Sequence, residues 1–291
     1  MIGKSGTPSE VDAAIAIDEV GIKYGVFGRY RLRSACQPIF ARQRNVLVPV
    51  AVHASISPYC EGTHVPKLQF FAGLMPEDAP FIEEMCRTLH LRNLCNLCNL
   101  CNLGVEGLPL HLKYDLAAHN GLETSLESIA RLSGQIEEAG LDPRSLVVGI
   151  EDGGGLEFPI LPAAAAALRG IGVKIAIAES GTGASAGESL NLLRPDIVGI
   201  DGVWFRKLCR DKATIRLFGL LVSRFRETGA QVLVTGIEDA AQLHVALRSE
   251  ADLFRGGYLA PLVLVGAGFD DAPVSIAGKL DAGHGPLRLA R

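Results

Sequence analysis

Apolar strand-like runs alternate with helical patterns along most of this chain, and that alternation is the strongest constraint on its fold. Strand signals fall at Tyr30–Phe40, Val46–Val52, Leu108–Leu112, Leu146–Ile150, Val173–Ala178, Ile197–Ile200, Val232–Val234 and Leu253–Gly257. Helical signals fall at Pro80–His90, Gly121–Ala139, Ala163–Arg169, Ala213–Thr228 and Ala240–Arg248. The stretch "AGLDPRS" at 139–145 stops one helix at Gly140 and turns at Pro143 into the next strand. Strands separated by helices need crossover connections and a mainly parallel sheet. Eight such strands in 291 residues predict an α/β (βα)8 TIM-type barrel, with a doubly wound sheet as the alternative. In either fold, ligands sit at the carboxyl ends of the strands.

Composition narrows the function classes. The chain is 48% hydrophobic, enough for a substantial core, and carries a formal net charge of −4. No Lys/Arg block stands out, so the electrostatic footprint of a nucleic-acid binder is missing. The longest apolar tract, Leu161 to Ala178, is broken by Arg169, Gly170 and Lys174, which argues against a membrane span. The start "MIGKSGTPSE" lacks the apolar core of a signal peptide. Seven cysteines, an odd number, predict a reducing cytoplasmic setting rather than a disulfide framework.

Three segments are expected: 1–28 as an N-terminal segment, 29–265 as the barrel, and 266–291 as a loosely held Gly/Ala/Pro-rich tail. Inside the barrel, "RNLCNLCNLCNLG" at 92–104 spaces Cys95, Cys98 and Cys101 like an iron–sulfur run. Such a run needs a fourth cysteine close behind, and the next is Cys209. The favoured reading is a helix with a drifting leucine stripe, its small cysteines filling space as free thiols.

"KIAIAESGTGAS" at 174–185 runs from a strand into a glycine loop, the usual setting for phosphate binding. It is not a P-loop. Gly187 is followed by Glu188 and Ser189, and the residue five before it is Thr182. A carboxylate stands where the phosphate-binding ammonium belongs.

Five short motifs in order give a better reading: "ACQPIF" (35–40), "AESGTGAS" (178–185), "PDIVGID" (195–201), "VLVTGIED" (232–239) and "GGYLAP" (256–261). Together they resemble the EAL-domain family of cyclic-di-GMP phosphodiesterases over about residues 29 to 263. The resemblance implies a modified TIM barrel with an antiparallel first strand. It also implies a two-metal phosphodiesterase site held by carboxylates and an Asn.

Carried over residue by residue, the resemblance implies that this site has degenerated. The Glu of EAL falls on Ala51 and the Asn on His111. The first Glu of ExTE falls on Gly149, the first Asp of DDFGTG on Ala178, the Lys of LKID on Gly199, the first Glu of AEGVE on Thr235 and the Gln of QGY on Gly256. Positions left for nucleotide contact are Gln37, Glu179, Gly181, Thr182, Gly183 and Glu238. Asp201, Gly236, Gly257, Tyr258 and Pro261 match residues that shape the barrel mouth. Glu151, two along from Gly149 on the same strand face, is the best substitute ligand, with His111 and Glu179 as its partners in a rebuilt single-metal site. Gln37 reads equally as a strand-end amide needing a partner. His53 and His119 carry no motif.

The expected function is therefore a catalytically inactive EAL-like domain, with no catalytic residue, no metal and no cofactor, acting as a protein-binding adaptor or regulator in bacterial signalling. The alternative is a non-hydrolysing cyclic-di-GMP receptor. Against the receptor, Ala54 and Ser55 stand where an Arg is expected, so two phosphates would meet few cations. A residual hydrolase is the third reading. A protein partner, a homodimer steadied near Asp152, no nucleic acid and a cytoplasmic location complete the expectation.

Overall fold

The computed structural model describes residues 7–100, 108–119, 121–151, 160–180, 186–267, 270 and 272–282, and at 94–100, 178–180 and 186–189 the backbone alone. The chain opens with α1 (Pro8–Ala13), β1 (Ile15–Ile17) and β2 (Lys23–Phe27). A long hairpin follows, β3 (Tyr30–Gln43) and β4 (Val46–Cys60), then β5 (Thr63–His64), α2 (Lys67–Ala72) and α3 (Ala79–Leu100). Strands and helices then alternate: β6 (Leu110–Tyr114), α4 (Leu122–Glu138), β7 (Leu146–Glu151), α5 (Ile160–Ile171), β8 (Lys174–Ser180), α6 (Ala186–Leu193) and β9 (Ile197–Ile200). Next come α7 (Gly202–Leu208), α8 (Lys212–Glu227), β10 (Gln231–Val234), α9 (Ala240–Arg248) and β11 (Leu253–Phe254). The described chain closes with β12 (Val263–Leu264), β13 (Val274–Ser275) and α10 (Ile276–Ala282).

Eight of these strands close into a barrel in the order β3-β11-β10-β9-β8-β7-β6-β4 and back to β3. β3 is antiparallel to both its barrel neighbours, β11 and β4, and the other barrel pairings are parallel. The antiparallel first strand follows from chemistry close at hand. β3 and β4 are joined by a short turn with Arg44 at φ 57, and a turn that short only makes a hairpin. At the barrel's lower rim, acids stitch neighbouring strands. Asp196 Oδ2 accepts from Ile175 N at 2.8 Å, and Asp252 Oδ2 accepts from Val232 N at 2.9 Å.

Period-two alternation fills the barrel. Ile39, Ala51, Val147, Ala176, Ile197, Leu233 and Leu253 form one buried inner layer. Helices cover the outside through their apolar stripes. On α4 the buried positions are Ser125, Ser128, Ile129, Leu132 and Ile136, one face of a 3.6-residue period.

All eight strand signals correspond to strands, several with shifted ends. β4 runs on to Cys60, because His53, Ser55 and Ser57 alternate with Ala54, Ile56 and Pro58; the polar set hid a continuing strand. β6 lies two residues later than its signal. β11 ends at Phe254, because Gly256 turns the chain against Ile237.

The segment boundaries also shift. β1 and β2 extend the sheet from β3, and Val11 and Ala14 are buried, so residues 7–28 belong to the folded body. Of the expected loose tail, Val274–Ser275 pair with β4, and α10 packs on α9. Tyr258 Oη donates to the Lys279 carbonyl, and Lys279 Nζ donates to the Tyr258 carbonyl. Cys95 and Cys98 lie on α3, but their side chains and Cys101 fall outside the described residues. No described helix is long and apolar enough to cross a membrane.

Candidate functional site

The carboxyl ends of the parallel strands open into a cavity of about 280 Å³ above the inner layer. Its floor is Ala176, Ile197 and Leu233, and its walls include His53, His111, Lys113, Glu151 and Arg255. The strand register places these groups. His53 faces His111 across β4 and β6, Lys113 lies beside Gly149, and Glu151 lies beside Ala178. His53, Lys113 and Glu151 are each two residues beyond an inner-layer or mouth position of their strands, Ala51, His111 and Gly149, so each points to the same face as that position.

Ala51 belongs to the buried inner layer and offers only a methyl group. Gly149 and Gly199 line the mouth without a side chain. Thr235 is buried and donates its hydroxyl to the Ile200 carbonyl at 2.8 Å. Gly256 has no room for a side chain: a Cβ built there lies 2.1 Å from the Ile237 carbonyl oxygen. Gln37 uses its amide to donate to the Ala260 carbonyl at 2.9 Å. Glu238 pairs with Arg206 at 3.1 Å and is 60% exposed, away from the cavity lining. Asp201 caps α7, accepting from Trp204 N at 2.6 Å. The backbone of Ala178 and Glu179 belongs to β8, while their side chains, and Gly181, Thr182, Gly183 and Asp152, fall outside the described residues.

The mouth is cationic in its described side chains. Lys67 from α2, Lys113 from β6 and Arg255 after β11 line it. Lys113 Nζ meets Glu151 Oε1 at 2.5 Å, so the substitute carboxylate is already tied to an ammonium. Lys67 reaches the Ser55 hydroxyl at 3.3 Å, and both ammoniums approach the Phe71 ring at 5.9 to 6.0 Å. The expectation of few cations is thus corrected. Lys113 was legible two residues after His111, and Arg255 two after Leu253, by the same strand period. Lys67 arrives from a separate helix and had no local signal.

The described side chains of the mouth do not by themselves fit a pair of divalent cations. Hard cations need several oxygen ligands, and among the described residues no three His, Cys, Asp or Glu side chains gather to hold a metal. The two imidazoles are kept uncharged. Burial pushes His111 down to about 3, helped by Arg255 and Lys174. Burial likewise holds His53 well below its ordinary value, with Arg255 and Lys67 adding to it.

His90, buried and hydrogen-bonded through Nδ1 to the Ser34 hydroxyl, is also pushed to about 3, by burial and then Lys67. Each of these histidines binds its proton in the unfolded chain near pH 6.5 but not in the fold until far lower. Their contribution is therefore fully present above pH 6.5 and is lost as pH falls toward 3. Each adds a slope of up to about 1.4 kcal/mol per pH unit in that window. Urea unfolding at pH 7, 6 and 5 should show stability falling on acidification. His90→Gln and His111→Gln should each flatten the slope by about one proton; an unchanged slope would contradict the burial argument.

Residues 82–261, more than half of the chain, match the EAL domain. The chain belongs to the EAL-domain family. No curated protein matches it in sequence. Solved structures share its fold. The Bacillus subtilis YkuI protein, with an EAL domain and in complex with substrate c-di-GMP and calcium, aligns at TM-score 0.65 and 20% identity over 84% of this chain and 56% of its own. This chain therefore spans little more than half the length of that neighbour. The FimX EAL domain from Pseudomonas aeruginosa bound to c-di-GMP aligns at 0.62 and 20% identity, over 80% of this chain and 90% of its own. An EAL domain protein from Listeria monocytogenes EGD-e aligns at 0.63 and 18%, covering 85% and 90%. At these identities the likeness concerns the fold.

Proposed function

We propose that this chain is a catalytically inactive EAL barrel that works by binding, as a protein-binding regulator in cyclic-di-GMP signalling. One observation carries the reading: where the family resemblance implies metal ligands, the mouth offers Ala51, Gly149 and His111, and the nearby Glu151 is neutralised by Lys113 at 2.5 Å. Two-metal hydrolysis needs ions that clamp the phosphate and activate water, and an ammonium in that position repels such ions. The test is purified protein with cyclic-di-GMP and Mg²⁺ or Mn²⁺. The expected result is no linear dinucleotide. Steady turnover abolished by Glu151→Ala would overturn the proposal.

A second reading, a receptor that binds without cleaving, draws support from Lys67, Lys113 and Arg255 at the mouth. Charge-assisted hydrogen bonds to phosphate are among the stronger ones, and the FimX EAL domain is known bound to c-di-GMP. On this reading, calorimetric titration with cyclic-di-GMP gives the same affinity in EDTA as in Mg²⁺, and Lys113→Ala weakens it about tenfold, ~1.4 kcal/mol. Absence of binding in both buffers leaves the regulator reading and removes the receptor.

A further inference from the structure

The β3–β4 hairpin overshoots the barrel rim, and β2 and β5 widen it into a small sheet with one face open. On that face the register sets Tyr24 beside Arg33, and Val26, Arg31 and Tyr59 in one row. At the sheet's tip, the β2–β3 turn and the β4–β5 turn enclose a hollow of about 520 Å³ lined by Val26, Arg29, Tyr30, Arg31 and Glu61.

Both arginines of the hollow are held by rings. The Arg31 guanidinium lies 5.5 Å from the Tyr24 centroid, and that of Arg29 lies 5.6 Å from the Tyr30 centroid. Among the described residues neither is ion-paired, in contrast to Arg33, which meets Asp18 at 3.5 Å. Arg29 also hydrogen-bonds the Tyr30 side chain; a guanidinium held at a ring loses less rotamer freedom when it binds. Arg29 in the β2–β3 turn and Arg31 at the start of β3 line the same hollow, and two guanidinium forks there suit two carboxylates bound edge-on. The rings themselves are occupied. Tyr24 and Tyr30 carry the guanidiniums, and Tyr59 meets His64 edge-on at 5.5 Å. That arrangement favours carboxylates over stacked bases.

We propose that this hollow docks an acidic segment of a protein partner, Arg29 and Arg31 each gripping one Asp or Glu side chain, with Val26, 37% exposed, against its aliphatic stems. The proposal rests on the protein-binding reading above and names the chemistry of the partner. Glu61 opposes it from the hollow's wall, so its removal has a predictable sign.

The experiment is fluorescence anisotropy of labelled hexaglutamate with the full chain at low salt. Arg29→Ala with Arg31→Ala weakens binding at least tenfold while the melting temperature stays put, since both side chains are on the surface. Arg29→Lys with Arg31→Lys, which keeps charge but loses the fork, weakens it at least threefold. Glu61→Gln tightens it two- to threefold. Lys67→Ala with Lys113→Ala leaves it unchanged, separating this hollow from the barrel mouth and its readings. Equal binding by the double alanine variant overturns the proposal. So does labelled hexauridylate binding more tightly than hexaglutamate through the same two arginines, which would make the hollow a nucleic-acid site.

Discussion

Gly256→Ala is expected to be among the most damaging single substitutions in the barrel. The new Cβ would lie 2.1 Å from the Ile237 carbonyl oxygen and 2.3 Å from its nitrogen. Both contacts are with backbone, which cannot swing aside like a side-chain tip. The contact is also tied. Ile237 N donates to the Arg255 carbonyl at 3.2 Å, and Tyr258 N donates to the Ile237 carbonyl at 3.0 Å. Relief therefore means breaking the turn that carries Arg255 into the mouth. We expect a loss of about 4 kcal/mol or more, the range reserved for named failures of packing or backbone. For a chain of this size that is a fall in melting temperature of about 10 °C. Thermal unfolding of the purified variant reads it directly, and a melting temperature within 2–3 °C of the parent, about 1 kcal/mol, would show that the turn yields. The same contact bears on function. The family glutamine cannot be restored at this position without rebuilding the turn, so returning motif residues one at a time should not return the family's site.

The second large effect is expected at Arg87. This side chain is buried between α3 and α4 and meets Glu83 at 2.9 Å, Glu84 at 2.5 Å and the Ser128 hydroxyl at 3.1 Å. Gln135 closes the network, accepting from Arg87 at 3.2 Å and donating to Glu84 at 2.8 Å. Burial alone would drive the guanidinium toward its neutral form, but Glu83 and Glu84 outweigh it, and its pKa rises. Arg87→Leu removes the cation from Glu83 and leaves Glu84, 2% exposed, with Arg131 at 3.2 Å as its one charged partner among the described residues. Breaking a buried pair this way costs about 3–5 kcal/mol. Replacing Arg87 and Glu84 together by Leu and Met removes both charges and should recover much of that loss. Equilibrium urea unfolding of the single and double variants decides it. A double variant no more stable than the single would mean that Arg87 acts through packing on the Tyr114 ring, 5.1 Å away, rather than through charge.

The sequence by itself determined the alternation of strands and helices, and left a barrel and a doubly wound sheet to be separated by the family resemblance and by closure of the sheet. Strand and helix periods are local properties, set by which residues recur every two or every 3.6 positions, so "VKIAIA" and "DIVGID" declared their strands in isolation. Motif order pointed to the family, and Ala51 and Gly149, where the resemblance implies carboxylates, and Gly199, where it implies a lysine, were legible without coordinates. The long reach of β4 was legible in principle, since "HASIS" alternates, but its small polar residues carry too little apolar weight to announce a strand.

Only the tertiary structure decided which charged groups meet at the mouth. Lys67, Lys113 and Arg255 are far apart in sequence and meet because α2, β6 and the chain after β11 end at one rim. Pairing of Lys113 with Glu151 depends on the β6–β7 register, which a one-residue slip would undo. The docking of residues 274–282 depends on β13 finding the β4 edge, although Gly, Ala and Pro in that region suggest looseness. Charge and hydrogen bonding act over a few ångströms whatever the distance along the chain, so a motif can report which residue types stand at each position, while closure of the barrel fixes which distant side chains face one another.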